Sequence, residues 1–304
     1  CLDTEDLIES TEGFTAAATG TGIPAGVVVE SMPPLLGYNR TIPLPDATIH
    51  AIVKETGDPL LATRSVGEGA TLAFASDPAP QWGCNLVQWD SYDQFWLAAV
   101  DYILDREGRL DVLVNNAGYG LAGAIAHTTL EEAIAQFDIN FFGIHRVCRS
   151  VLPVMRNQES GLIVNISSIG GLITTPFQGF YCASKYALEA YTESLRMEVK
   201  PFGIQVTLIE PGDFKTDITK NRIIALDTSV YEDRQNTAIN VIANDEQNGS
   251  DPKDLAMFLA NIIRKKHVRP RYMIGMFHQK IAVWIKRMLP ASLFETLIMG
   301  YYKI

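Results

Sequence analysis

Leu110-Asp111-Val112-Leu113-Val114-Asn115-Asn116-Ala117-Gly118 is the stretch on which the fold turns. Leu110–Val114 is an almost continuous apolar run that opens directly into small and polar residues. A strand buried on both faces of a parallel sheet reads this way, whereas a half-solvated strand alternates. Further units follow it. The patterning predicts strands over Gly161–Ile166 and Ile204–Ile209, and helices over Leu130–Met155, Tyr181–Lys200 and Asp251–Lys265. Pro153 is expected to kink or cap the first of these helices. Strand and helix alternate with ordinary connections, the pattern of βαβ units and an α/β fold. Sheets of this kind place ligands at the carboxyl ends of their strands. The unusual residues lie there: Asn115–Gly118, Ser167-Ser168 and Glu210-Pro211-Gly212.

Three of these signals carry chemistry. In Tyr181-Cys182-Ala183-Ser184-Lys185, positions i and i+4 share a helix face, so Tyr181 and Lys185 point together. A phenol is a poor acid at neutral pH, and a neighbouring ammonium favours its phenolate. Such a tyrosine can exchange a proton with a carbonyl or alcohol oxygen. Ser168 stands thirteen residues earlier at a strand end, where its hydroxyl can donate to the same oxygen. Asn115–Gly118 offers small residues that let a flat cofactor approach the backbone. Each has a plainer explanation taken singly: a solvated Tyr–Lys helix face, a strand-end serine, a tight turn. Their joint order and spacing make three coincidences improbable.

Two more motifs stand in register, Asn140 in Phe137-Asp138-Ile139-Asn140 and Pro211-Gly212-Asp213-Phe214-Lys215-Thr216. With them, the segment from about Leu110 to the C-terminus resembles the short-chain dehydrogenase/reductase family. The resemblance implies a Rossmann-like, mostly parallel sheet with helices on both faces, and NAD or NADP as cofactor. It makes Tyr181 the general acid/base and gives Lys185 two tasks, lowering the Tyr181 pKa and holding the nicotinamide ribose. Ser168 would polarise the substrate oxygen, and Asn140 would hold a water linking Lys185 to solvent. Asn115, Asn116, Ala117 and Gly118 would line the cofactor cleft, and Pro211, Gly212 and Thr216 would contact the nicotinamide end. Phe177-Gln178-Gly179-Phe180 and Glu210–Thr216 resemble members acting on steroids, retinoids or similar apolar alcohols and ketones. The family also implies a homodimer formed through long helices.

One family element is not found. The Gly-rich turn that binds pyrophosphate at a helix N-terminus has no good match. Thr19-Gly20-Thr21-Gly22-Ile23-Pro24-Ala25-Gly26 has the wrong glycine order, no strong strand before it and Pro33-Pro34 after it. Weak or absent dinucleotide binding is therefore expected, with a catalytically impaired relic or binding protein as the rival to an active enzyme. Residues 1–106 form a separate segment, with strands expected at Ile49–Lys54, Leu60–Arg64 and Ala70–Ala75 and a helix at Ser91–Asp105. Ala75–Cys84, Tyr92–Trp96, Gly37–Arg40 and Asp58–Leu61 resemble the C-terminal end of glutamine-amidotransferase-like proteins. Cys84 lacks the context of a nucleophile and is read as a buried thiol. A competing view makes Gln88-Trp89-Asp90 the dehydrogenase family's own adenine-contacting strand end. On the composite view residues 107–304 are the dehydrogenase-like part, its first strands missing or replaced by the N-terminal β segments.

Composition sets the outer bounds. The 304 residues hold 25 Lys+Arg against 35 Asp+Glu, and 47% are apolar, which suffices for a core and excludes intrinsic disorder. The net charge of −10 argues against nucleic acid as a partner. That average hides three regions, net −11 over residues 1–106, −7 over 107–260 and +8 over 261–304. Four dispersed cysteines without a C-x-x-C pair suggest a reduced, cytoplasmic-type protein. Chain start at Cys1 is read as a fragment. The five histidines show no metal-ligand spacing, so no metal is expected. The basic tail from His267 onward has two readings. One is a strand near Tyr272–Gly275 followed by helices over the substrate cleft with their cations in water. The other is a membrane-surface helix that delivers an apolar substrate.

Overall fold

The computed structural model describes residues 7–20, 29–66, 69–75, 89–216, 222–225 and 230–304. The chain divides into two compact units, Leu2–Asp111 with Gly143–Gln158, and Val112–Phe142 with Glu159–Ile304. In chain order the elements are β1 (Leu7–Phe14), β2 (Ala16–Ala18), β3 (Leu35–Asn39), β4 (Thr48–Val53), β5 (Pro59–Val66), β6 (Gly69–Phe74) and α1 (Tyr92–Glu107). There follow β7 (Val112–Asn115), β8 (Leu121–Ala122), α2 (Leu130–Phe137), a π-helical turn (Asp138–Gly143), α3 (Ile144–Asn157) and β9 (Gly161–Ile166). Then come α4 (Gly179–Val199), β10 (Ile204–Pro211), β11 (Ile223–Ile224), α5 (Glu232–Gln247), α6 (Pro252–Ile263), β12 (Arg271–Ile274), α7 (Phe277–Met288) and α8 (Ala291–Tyr301).

The first unit is antiparallel. β1 pairs with β3, and β2-β4-β5-β6 form a four-stranded sheet. Its core gathers Leu35, Tyr38, Val53, Leu60 and Phe95, with Trp89 and Trp96 packed against them. β1, β2 and β3 lie in a stretch whose residues show no period, so they were not foreseen. Tyr38 explains how that stretch holds: its ring is fully buried while its hydroxyl donates to Asp58 at 2.6 Å. Trp89 packs against this core and Asp90 lies in a turn, while Gln88 falls outside the described residues. Residues 76–88, with Cys84, and Thr21–Gly26 of the Gly-rich stretch fall outside the described residues. Thr19 pairs through its backbone with His50 and through its hydroxyl with Ile49.

The second unit is the α/β part. Its parallel sheet has the order β12-β10-β9-β7. The central strands β9 and β10 are buried along nearly their whole length, as their unbroken apolar runs require. β1–β6 form their own sheets, so β7 is the terminal strand of this sheet among the described residues.

Several boundaries differ from expectation. β7 begins at Val112, because the backbone N–H and C=O of Leu110 bond the Gln158 side chain at 2.8 and 3.0 Å instead of a strand. The helix expected over Leu130–Met155 is split by the π-helical turn. Pro153 sits inside α3, which runs on to Asn157, so it does not cap the end of that helix. Because the strands are parallel, β7, β9, β10 and β12 bring Asn115, Ser167, Pro211 and Gly275 to one edge of the sheet.

Candidate active site

The site forms at that edge against the N-terminal half of α4. The buried residues of α4, Cys182, Ser184, Lys185, Leu188, Glu189, Thr192, Leu195 and Val199, recur at helical spacing. Tyr181 lies half-buried beside this stripe, one turn before Lys185.

Ser168 caps the 3-10 turn Ile169–Gly171 with extended backbone, and its Oγ accepts the Gly170 N–H at 2.9 Å. Its own hydroxyl hydrogen stays available to donate. The Ser168 hydroxyl lies beside the Tyr181 phenol and favours its ionised form. Gly170 packs between them: a Cβ there would stand 3.0 Å from the Tyr181 ring and 3.3 Å from Ser168 Oγ.

Lys185 is 5% exposed, and its Nζ donates to the Ile166 carbonyl at 3.0 Å, which leaves two of its three donors. Gly118 approaches this group closely. A Cβ on Gly118 would lie 3.5 Å from Lys185 Nζ and 3.2 Å from Asn140 Oδ1. Asn140 itself is fully buried in the π-helical turn, a distortion that often marks functional positions. Its amide accepts from Tyr119 N at 3.1 Å and donates to the Tyr119 carbonyl and to Ser184 Oγ. Ser184 in turn donates to the Tyr181 carbonyl at 2.7 Å. Asn140 thus ties the Gly118 loop to the turn of α4 that carries Tyr181 and Lys185.

The other expected residues divide. Asn116, Ala117 and Gly118 are exposed at the end of β7. Asn115 is placed differently, because its buried amide donates to Asn165 Oδ1 at 2.8 Å. It joins a chain through Asn165 and Thr192 to the Leu188 carbonyl, so its side chain holds sheet to helix instead of facing a cleft. Pro211 pairs in register with Ile274, and Gly212 N donates to the Ile274 carbonyl at 2.8 Å. Gly212 lies beside Gln279 and Ile169, in reach of the Ser168 turn. Thr216 is exposed at the end of a described segment, its N–H on the Phe214 carbonyl.

Burial governs the protonation of these groups. It pushes the Tyr181 phenol up to about 12, against a lowering by the Ser168 hydrogen bond. Burial dominates at Tyr181, and Ser168 is the neighbour that opposes it most. Burial also brings Lys185 down to about 8, with Glu189 acting the other way.

A profile of the short chain dehydrogenase family matches residues 51–226. The chain belongs to the short-chain dehydrogenase/reductase family. The profile match of this dehydrogenase begins ahead of Leu110, within the acidic first third. Over 209 residues the dehydrogenase is 41% identical to a 3-ketodihydrosphingosine reductase of Bacteroides thetaiotaomicron, covering 68% of this chain and 78% of that protein. It is 36% identical to a probable short-chain type dehydrogenase/reductase of Helicobacter pylori, over 75% of this chain and 84% of that one. A crystal structure of a short-chain dehydrogenase from Streptomyces avermitilis matches with a TM-score of 0.56 and 30% identity, over 68% of this chain and 76% of that one.

Sequence reasoning passed over a second cluster of this dehydrogenase. Glu189 and Glu210 are 6% and 0% exposed, and none of their four carboxylate oxygens makes a well-directed hydrogen bond. Arg271 reaches Glu210 at 3.2 Å and Glu189 at 3.5 Å, but it is also held at 2.5 Å by the half-exposed Glu193. Burial raises Glu189 to about 7, and the Glu210 charge adds to that rise; burial raises Glu210 as well, opposed by Arg271 and by Glu189. Glu189 stands four residues after Lys185, so helical spacing could have placed it at the site. Glu210 and Arg271 meet only through the β10–β12 pairing, which no local pattern announces.

Proposed function

We propose that this chain is a nicotinamide-dependent oxidoreductase that interconverts an alcohol and a ketone or aldehyde on an apolar, lipid-like substrate. The observation that carries this is the convergence of Ser168, Tyr181 and Lys185 at one strand-end edge. The lipid-like substrate class is supported by the 41% identity to a 3-ketodihydrosphingosine reductase and by Phe177–Phe180 and Glu210–Thr216.

The residues fit the nicotinamide end of NAD or NADP. Gly118 leaves open the space beside Lys185 and Asn140 that any side chain would fill. Lys185 keeps two donors for ribose hydroxyls, and Asn116–Gly118 form the exposed rim. The cofactor, when bound, supplies or accepts the hydride. Ser168 donates to the substrate carbonyl and fixes its position. Tyr181, with its pKa raised to about 12, is protonated at neutral pH and gives its proton to the developing alkoxide. Lys185 is cationic below about pH 8 and stabilises the phenolate left behind.

The test is ketone-dependent oxidation of NADH or NADPH at millimolar cofactor, with long-chain ketones as substrates. Turnover supports the proposal, and none with any of them sinks it. One observation favours a second reading, a catalytically impaired relic or binding protein. Strands β1–β6 form separate antiparallel sheets, and β7 is terminal among the described residues. On either reading dinucleotide affinity is weak, and saturable low-micromolar binding by calorimetry contradicts that.

A further inference from the structure

The outer face of α7 shows an uninterrupted apolar stripe. Phe277, Ile281, Trp284, Ile285 and Met288 recur at helical spacing and are 79%, 40%, 68%, 37% and 73% exposed. Leu293 and Leu297 continue it on α8, about half exposed each. The opposite face of α7 is committed to the protein. Val283 packs with Ile173 and Phe294, Gln279 bonds Asp213, and Lys286 turns inward to the Leu172 carbonyl and the Tyr186 hydroxyl. This inner face therefore meets the Gly212 turn and the Ile169–Gly171 turn that follows Ser168.

Charge decides among occupants. Lys280 and Arg287 flank one side of the stripe, α7 has no acidic residue, and residues 261–304 carry nine cations to the single acid Glu295. A second copy docked face to face would set these cations against each other with no carboxylate on α7 to pair them. Apolar stripe, tryptophan and flanking cations match a helix lying in the headgroup layer.

We propose that the outer face of α7, extended by α8, docks on an anionic lipid surface and presents the Ser168–Tyr181 edge to lipid substrate in that surface. The delivery part rests on the oxidoreductase reading above; docking does not require turnover. No helix among the described residues is long and apolar enough to cross a membrane. Docking is therefore peripheral.

The test is co-sedimentation of the full chain with vesicles of mixed phosphatidylserine and phosphatidylcholine, against phosphatidylcholine alone, at low salt. Binding to the anionic vesicles is expected, with loss at high salt. Trp284→Ser should weaken it about tenfold or more. Lys280→Gln with Arg287→Gln should weaken it about fivefold per charge removed while leaving the stripe intact. Sedimentation velocity of the same proteins reads the rival occupant. No binding, equal binding to neutral vesicles, or a dimer that Trp284→Ser dissociates each overturns the proposal. Turnover of a water-miscible ketone is expected to be equal in wild type and Trp284→Ser. If neither protein turns over, the oxidoreductase reading fails while vesicle binding still decides the docking face.

Discussion

Glu189→Gln offers a quantitative handle on the buried acid cluster under the site. Glu189 titrates at about 7 in the folded protein, against an ordinary value of 4.5. The folded state therefore binds more protons than the unfolded chain between these values, and stability falls as pH rises. The contribution is fully present below about pH 4.5 and is lost as pH rises through about 7. A shift of this size corresponds to about 3 kcal/mol at 1.4 kcal/mol per pKa unit, and coupling of its ionisation to that of Glu210 brings the isolated effect nearer 2 kcal/mol. Glutamine mimics the protonated carboxyl and cannot ionise. Wild type and variant should thus be close in stability at pH 5, and the variant should lead by about 2 kcal/mol at pH 8. Calorimetry of the transition of the unit formed by Val112–Phe142 and Glu159–Ile304 should show this as roughly 4–8 °C in Tm. Parallel wild-type and variant profiles from pH 5 to 8 would refute this account of the buried carboxylates.

Other consequences follow from individual contacts. Asn165→Ala removes the acceptor of Asn115 and the donor to Thr192, both at 2.8 Å in a fully buried position. Unfolding experiments should register a loss of about 2–4 kcal/mol, because the Asn115 amide is left without that partner. Gly118→Ala puts a methyl 3.2 Å from Asn140 Oδ1 and 3.5 Å from Lys185 Nζ. Steady-state kinetics should show at least about a tenfold fall in kcat/KM with little change in Tm; unchanged kinetics would remove Gly118 from the site. Gly203 holds φ at +72° with Glu159 O packed against it. Gly203→Ala should lower Tm more than any of these, with the backbone of two loops forced apart.

Much of the second unit was legible because its signals are local. Gly161–Ile166 reads correctly to the residue, since a strand buried on both faces carries an unbroken apolar run. Tyr181, Lys185 and Ser168 stand out by spacing, and the fold brings them together with Asn140 and Gly118. What stayed hidden depends on distant partners. Leu110 leaves its strand for Gln158, 48 residues on. Asn115 turns inward because Asn165 lies in register on the neighbouring strand. α5 was missed because its charged surface masks a buried stripe of Gln235, Ala238, Ile239 and Ile242. The two faces of α7 are told apart only by the exposure of Trp284 and the inward turn of Lys286, which no local pattern shows.

The central claim is that Tyr181 delivers the proton to a carbonyl held by Ser168. Its most direct test is the reduction rate of Tyr181→Phe at millimolar NADPH or NADH, with wild type in parallel. Phenylalanine keeps the ring that packs on Gly170 and removes only the hydroxyl. The account predicts a fall in kcat of at least about a hundredfold, with Tm unchanged and the residual rate insensitive to pH near neutrality. A variant that reduces the ketone as fast as wild type contradicts it.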